Sequence, residues 1–391
     1  MNTRSLLTAA ALLASLSATA LGQEYVRAAP AFIPNGDAAR PWNSVFVGVW
    51  AASGGNLILN ANDYHETGKI DPPGKMMITT TGGPSRIGVG DPIRTSLRVA
   101  SYNTHLFGNP EIPGLPRWKD VERTPHIGRI ALDEGADVFL FQEVWDGHFF
   151  ETIRDVTKQV YTSGFYGGDH EGASVLNSGL FTISRHPITN PYQFFYEAED
   201  GFFESMASKG YIRTSFMKGV FPVTVFNTHL QSGYSSGNIE ARQNQLAELA
   251  AAVSVWRSFN PSHVVIVAGD FNTIEGSSEF NQTVASYFGD FNSMGDGARN
   301  VPVAGNAANC TTCYENDLRQ YFDEDNTSDW RIDFILYANS KDGLTRVVPK
   351  AYNVRKYQIP SAYPTLCDDG ICTRDLSDHY GITLDLELQR P

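Results

Sequence analysis

Basic residues are scarce in this sequence. Its 391 residues hold 30 Lys and Arg against 43 Asp and Glu, a formal net charge of −13. So acidic a chain has no long-range field to draw in nucleic acid, and no stripe of Lys and Arg offsets the balance. The same excess disfavours docking on an anionic membrane by charge alone; a zwitterionic lipid surface is less repulsive. Charged residues make up only 19% and apolar ones 42%, which excludes bulk disorder and allows a full-sized core. Internal repeats and low-complexity tracts are absent. Long apolar runs are missing too, except at the start. Arg4 precedes an apolar run at 6–20, and Ala20-Leu21-Gly22 makes a small-x-small site before Gln23. Residues 1–22 read as an export signal, too short for a comfortable membrane span, so the mature chain is expected to be secreted.

Cysteine is rare as well. The four present form two close pairs, Cys310/Cys313 and Cys367/Cys372. In an exported chain disulfides are the default, and pairing of near neighbours is the favoured connectivity. The spacing at 310–313 would also suit half of a zinc site, but 367–372 has the wrong spacing for the other half. Glycine, by contrast, is abundant at 35 and predicts many tight turns.

Residues 23–95 differ from the rest of the chain. They carry Gly-Gly at 54–55 and 82–83 and Pro-Pro at 72–73. Strand-like stretches fall at 45–50, 56–59 and 76–80. This N-terminal extension reads as either a small β appendage or an elaborated first hairpin. From 96 to 391 the pattern is regular. Strands are predicted at 97–102, 137–141, 177–184, 220–227, 264–268, 332–337 and 382–388. One helix is predicted at 124–134, capped by Thr124, with Pro125 in its first turn and Gly135 as its stop. Another is predicted at 238–258, where Ile239, Leu246, Leu249, Val253 and Trp256 recur at near-helical intervals. Strands and helices alternate, but hairpin-like links also occur. The expected class is α+β, a mixed two-sheet sandwich with helices outside.

Several predicted strands end in polar residues: Asn103, Gln142-Glu143, Asn227-Thr228-His229 and Gly269-Asp270-Phe271-Asn272. Strand ends of a sandwich can gather in one rim, and a rim of Asn, Glu, His and Asp suits a hard cation such as Mg2+. Glu143 ends an apolar strand and is the strongest ligand candidate; Asn103 offers an amide oxygen to the same ion. Asp270 and Asn272 share a face if their strand continues, and Gly269 permits close backbone approach. Asp270 could ligate metal or orient the nucleophile, and Asn272 could bind the phosphate. His229 is positioned to stabilise phosphoryl oxygens. Asp378-His379 is an Asp-backed histidine, a candidate general base near neutral pH. Asp333 could orient such a histidine, or simply pair with Arg331 or Lys341. Each residue alone has a plain reading as a turn, a cap or a core histidine. The ordered set instead matches what phosphoryl transfer asks for: a cation, a base and donors for the transition state. His65, His105, His126 and His263 are assigned no role.

The set resembles the exonuclease–endonuclease–phosphatase superfamily, the DNase I-like fold. Its marks stand here as QEVWD (142–146), NTHL (227–230), GDFN (269–272), RIDFIL (331–336) and SDH (377–379). The resemblance covers about 96–390 and implies a four-layer α/β/β/α sandwich forming a catalytic domain. Among its branches the chain looks most like bacterial neutral sphingomyelinase C. That likeness rests on Gln142-Glu143-Val144-Trp145-Asp146 and on Ser208-Lys209-Gly210-Tyr211 behind Phe194, Phe195, Phe202 and Phe203. Thr228-His229-Leu230-Gln231-Ser232 followed by Arg242-Gln243-Asn244-Gln245-Leu246 completes it.

The resemblance implies that Glu143, helped by Asn103, binds Mg2+ or another divalent cation such as Mn2+ or Co2+. Asp270, Asn272 and His379 would face it and could hold a second ion. His379 would be the general base, His229 would steady the developing phosphorane, and Asp333 or Asp378 would orient a histidine. Sphingomyelin at a membrane surface would yield ceramide and phosphocholine, with no obligate protein partner. A secreted nuclease or a soluble phosphatase of the same fold is the alternative. Two segments are candidates for membrane contact: 194–203 with Phe202-Phe203, and 357–372 with Tyr357, Ile359, Tyr363, Leu366 and Ile371, pinned by Cys367 and Cys372. Core packing is the alternative for both.

Overall fold

The computed structural model describes residues 93–108, 117–168, 176–201, 207–291, 310–323, 325–368 and 370–390, and the backbone of three earlier strands. The expected export signal, His65 and Phe202-Phe203 lie outside the described residues. The chain divides into two units, Met1–Gly88 and Val89–Pro391. In the first, β1 (Ser44–Trp50), β2 (Leu57–Asp63) and β3 (Gly74–Met77) pair antiparallel in that order.

The second unit holds two large sheets. Six strands form one: β4 (Ile93–Leu106), β5 (Val138–Val144), β6 (Ser163–Tyr166), β7 (Phe181–Ser184), β13 (Arg346–Arg355) and β16 (Gly381–Arg390), in the order β13-β16-β4-β5-β7-β6. Five form the other: β8 (Thr189–Phe195), β9 (Gly210–Lys218), β10 (Phe221–His229), β11 (Val264–Asp270) and β12 (Asp333–Ala338), in the order β12-β11-β10-β9-β8. Both sheets are mixed. β4–β5 and β10–β11 are parallel, while β9–β10, β11–β12 and β4–β16 are antiparallel. A short antiparallel hairpin, β14 (Leu366–Asp368) and β15 (Ile371–Thr373), stands apart.

Strand alternation explains why these sheets stack. Successive side chains point to opposite faces, so a strand apolar on both faces must be covered twice. Val138 and Leu140 of β5 join Val223 and Val225 of β10, Val264 and Ile266 of β11, and Leu97 and Val99 of β4 in one buried layer between the sheets. The intervening residues face outward. Phe139, Phe141, Ala100 and Tyr102 pack under helices α1 (Asp120–Glu134) and α2 (Gly147–Thr157), through Ile127, Ala131, Phe149 and Ile153. On the far side Phe226, Val265, Val267 and Phe334 meet Leu246, Leu249 and Val253 of α3 (Ser236–Phe259). The α+β class and the four-layer α/β/β/α order are as expected. Complete burial of each aliphatic side chain contributes about 1.5–3 kcal/mol, so three such layers are ample for one domain.

Some local expectations are corrected. α1 starts a turn before Thr124, at Asp120, and Pro125 lies inside it. Proline has no N–H to give the carbonyl of Val121, a residue 62% exposed and so open to solvent. Thr124 donates its hydroxyl to Asp120 O at 2.6 Å instead of capping. β13 escapes a sequence reading because Pro349 interrupts it; the strand is at the sheet edge and its register shifts there, where proline is tolerated. Both cysteine pairs are near-neighbour disulfides, Cys310–Cys313 and Cys367–Cys372, which removes the zinc alternative.

The 357–372 segment is not an apolar probe. Tyr357 and Ile359 are 7% and 2% exposed and belong to the core under α1 and α2, with Leu366 packed against it. At the end of the hairpin the exposed Asp368 pairs with Ile371, which is half-buried. Tyr363 is exposed, but its ring meets His126 and lies under the Arg129 guanidinium. In the other segment, Phe194 stacks on Tyr211.

Candidate active site

The inward register that carries the apolar layer continues to one end of the sandwich, and there the residue types change. On β10 the inward series Phe221, Val223, Val225 runs on to Asn227 and His229. On β11 Val264, Ile266 and Ala268 lead to Asp270, and on β12 Tyr337 and Ile335 lead to Asp333. Ladder pairing sets His229 beside Asp270 and Asp270 beside Asp333. Below them, Gln142 Nε2 donates to Asn227 Oδ1 at 2.7 Å, and Asn227 Nδ2 donates to Phe141 O at 3.0 Å. These buried amides tie the two sheets together under the site.

Backbone strain concentrates here. Glu143, His105 and Asn272 adopt left-handed φ of +58°, +48° and +50°. At Glu143 this breaks the alternation that would have sent the carboxylate under the helices, and turns it to the rim. Such conformations cost about 1–3 kcal/mol each and persist where the surroundings enforce them. Gly269 has φ +141° and a Cβ there would lie 1.9 Å from Thr228 O; no other residue would let β10 and β11 close beside His229 and Asp270.

The assembled side chains are nearly all buried. Asn103 Nδ2 donates to Glu143 Oε1 at 2.8 Å and to Asp270 Oδ2 at 3.0 Å, and its Oδ1 accepts the His105 N–H at 3.1 Å. His229 Nε2 stands 3.7 Å from both Glu143 Oε1 and Asp270 Oδ2. His379 Nδ1 pairs with Asp333 Oδ2 at 2.9 Å, and its Nε2 is 3.8 Å from Asp270 Oδ2. Asn272 donates Nδ2 to Leu230 O at 3.0 Å, and its N–H goes to Asp270 Oδ1 at 2.8 Å. Both bonds tie it to its surroundings, one to Asp270 at the end of β11 and one to Leu230 just after β10. Asp378 does not back His379. It faces His105, whose Nδ1 lies 3.3 Å from the Asp378 Oδ1, so the hydrogen-bond partner of His379 is Asp333. Arg331 pairs with Glu275 and Lys341 bonds Ser258, which disposes of the plainer reading of Asp333.

Two further residues stand at the site with no role assigned from sequence. Lys209 is 3% exposed; its Nζ lies 3.1 Å from His229 Nε2 and donates to Leu230 O at 3.0 Å. His105 bridges Asp378 and Glu143 and stacks on Phe322, ring centroids 4.1 Å apart. A buried lysine looks like a surface lysine in sequence. The signal for His105 is its i, i+2 spacing from Asn103 at a strand end.

Electrostatics reflect burial and crowding. Burial and the neighbouring Asp333 charge push Asp270 up to about 7, although His379 and Asn103 oppose this. Burial alone would lower His379, but Asp333, Asp378 and Asp270 hold it well above the usual imidazole range. Burial and then Lys209 push His229 well down, so it is neutral. Asp378 is held low against burial by His105 and His379.

This donor set fits a divalent cation. Glu143, His229 and Asp270 offer atoms within 4.8 Å of one another, as do Asp270, Asp333 and His379. Glu143 Oε2 and Asp333 Oδ1 are buried with no hydrogen-bond partner. Buried carboxylate oxygens without a hydrogen-bond partner are costly unless a positive charge lies close to them. Oxygen donors with adjacent imidazoles suit Mg2+, Mn2+ or Co2+.

Comparison with known proteins decides the lineage. Residues 100–379 match the Endonuclease/Exonuclease/phosphatase family. The chain belongs to that family. Within it, the chain is similar to a "Sphingomyelinase C" of Leptospira interrogans, 23% identical over 210 residues that cover 49% of this chain and 37% of that protein. A crystal structure of sphingomyelinase C from Streptomyces griseocarneus superposes with a TM-score of 0.60 at 20% identity, over 74% of this chain and 99% of that one. A Staphylococcus aureus beta toxin variant with bound magnesium ions gives the same TM-score, identity and coverage. These structural likenesses establish the DNase I-like fold. The chain spans less than half the length of the curated sphingomyelinase C relatives it matches.

Proposed function

We propose that this chain is an exported, divalent-cation-dependent phosphodiesterase that hydrolyses sphingomyelin to ceramide and phosphocholine. One observation carries the chemistry: a buried Asp333–His379 pair beside a carboxylate cluster able to hold a cation. The substrate class is supported by family relatives named as sphingomyelinases. Export is supported by two disulfides and by the apolar start of the sequence. Among the described residues no helix is long and apolar enough to cross a membrane.

Glu143 and Asp270, with Asn103 near both, would hold the cation; Asp333 and His379 flank Asp270 on its other side. The cation would neutralise phosphate charge and polarise a phosphoryl oxygen. A cation's charge would offset the carboxylates that hold His379 protonated, freeing its Nε2 to take the proton of the attacking water, while Nδ1–H donates to Asp333, which fixes the tautomer and ring plane. Lys209 supplies a fixed positive charge to the equatorial oxygens beside His229. Trp145 and Phe107, stacked at 6.2 Å, wall one side, with Trp145 6.0 Å from the His229 ring. Their apolar surface excludes water and suits a lipid substrate.

The test is a substrate panel: sphingomyelin vesicles, phosphatidylcholine vesicles and plasmid DNA, each with Mg2+ and with EDTA. Phosphocholine released from sphingomyelin only with metal is the expected result. Nicked DNA with inert vesicles would reassign the chain to the nucleases of this fold.

A further inference from the structure

The loop closed by Cys310 and Cys313 takes no part in the hydrolysis itself, yet it touches both segments that carry the Asp333–His379 pair. Thr311, inside this ring, is fully buried. Its N–H donates to Trp330 O at 2.8 Å, and its carbonyl accepts the N–H of Tyr380, the neighbour of His379, at 2.7 Å. Its Oγ1 accepts the N–H of Ile332 at 3.1 Å and of Asp333 at 3.3 Å. Thr312 and Trp330 exchange backbone bonds at 3.0 Å in both directions. Downstream, Asn316 donates its N–H to Cys313 O at 3.0 Å and its Nδ2 to Ser377 O at 2.9 Å.

The topology makes this arrangement consequential. Asp333 opens β12 in the five-stranded sheet, whereas His379 precedes β16 in the six-stranded sheet. No ladder joins those strands, so sheet pairing cannot set the distance between the two side chains. Residue 311 bonds to the backbone on both sides of the 2.9 Å imidazole–carboxylate contact. The disulfide closes a four-residue ring around it, which restricts how far it can shift. A displacement of about 1 Å would spoil the contact and the base it orients.

We propose that Thr311, held in the ring closed by Cys310 and Cys313, is a positioning residue for the Asp333–His379 pair. The proposal rests on the hydrolase reading of this site. Thr311→Val keeps the size and the backbone bonds but removes the acceptor. Two readouts apply: kcat and KM on sphingomyelin vesicles and on bis(4-nitrophenyl) phosphate, and the NMR signal of the His379 Nδ1 proton bonded to Asp333. In Thr311→Val, kcat is expected to fall about 10- to 100-fold with KM unchanged, and the slowly exchanging imidazole proton to disappear. Thr311→Ser should restore both. Wild-type kcat and an intact proton signal in Thr311→Val, or no recovery in Thr311→Ser, would overturn the proposal.

If Thr311→Val does not fold, the ring itself is opened. In a Cys367→Ser/Cys372→Ser background, dithiothreitol passes two electrons and two protons to Cys310–Cys313 and closes to its own cyclic disulfide. kcat should then fall with KM unchanged and the proton signal should broaden; no change in either would overturn the proposal. A wild type that turns over neither diester condemns the hydrolase reading instead, and the imidazole proton still decides what Thr311 does.

Discussion

The two ends of the layer between the sheets use one backbone for opposite purposes. At one end the inward positions are Val223, Val264, Val138 and Leu97, all buried and apolar. At the other, a few residues along the same strands, they are His229, Asp270 and Asn103, equally buried and polar. Packing rewards the first set directly. The second set costs desolvation energy that hydrogen bonds offset in part and that a bound cation would offset further. The contrast teaches that the site is part of the core in geometry and an exception to it in chemistry. Three of the five left-handed non-glycine residues among the described ones, Glu143, His105 and Asn272, lie at the polar end.

Substitutions at the two ends should therefore separate activity from stability. The largest effect is expected for His379→Ala, which removes the proposed base but leaves the sandwich alone. Turnover should fall by about 10³-fold while thermal melting stays near wild type; near-wild-type hydrolysis would remove His379 from the mechanism. At the apolar end, Ile266→Ala should do the reverse. It deletes fully buried methyl groups between the sheets and should cost about 2–5 kcal/mol in chemical denaturation, with kcat unchanged at temperatures where the protein is folded.

A smaller effect is expected at the apolar end's own polar border. Asp137 accepts the N–H of Arg98 at 2.9 Å and contacts His186 and Lys218. Burial raises its carboxyl, but Lys218, the Arg98 N–H and His186 together hold it below its ordinary 3.8. A depressed folded value means that the contribution is complete above about pH 4 and disappears as pH falls through the folded pKa. Asp137→Asn should lose about 2 kcal/mol at neutral pH, with the difference from wild type shrinking below pH 4. A difference independent of pH would show that its charge is immaterial.

Legibility in the sequence divides along the same line. The polar end is readable because alternation carries a side chain to a known face and because the strand ends change from Val and Ile to Asn, His and Asp. Asp270, His229 and Asp333 are where that logic puts them. Glu143 arrives at the rim by another route, through its left-handed backbone, and that is invisible in sequence. Lys209, His105 and Thr311 escape assignment because their importance comes from partners far away in the chain: His229, Asp378 and Asp333. The pairing of His379 with Asp333 rather than the adjacent Asp378 has the same origin: across the bend at 376–379, Asp378 meets His105 and His379 meets Asp333. At 357–372 scattered apolar residues beside a disulfide fit a buried flap as well as an exposed wedge. Only the tertiary packing of Tyr357 and Ile359 under α1 and α2 separates the two.

The central claim is that the polar end is completed by a divalent cation held between carboxylates of the two sheets. Calorimetric titration of Mg2+ into the wild type and into Asp270→Asn tests it without reference to any substrate. Saturable binding by the wild type, weakened by at least about tenfold in Asp270→Asn, is the predicted result. Equal affinity in both proteins, or no binding by either, would contradict the account.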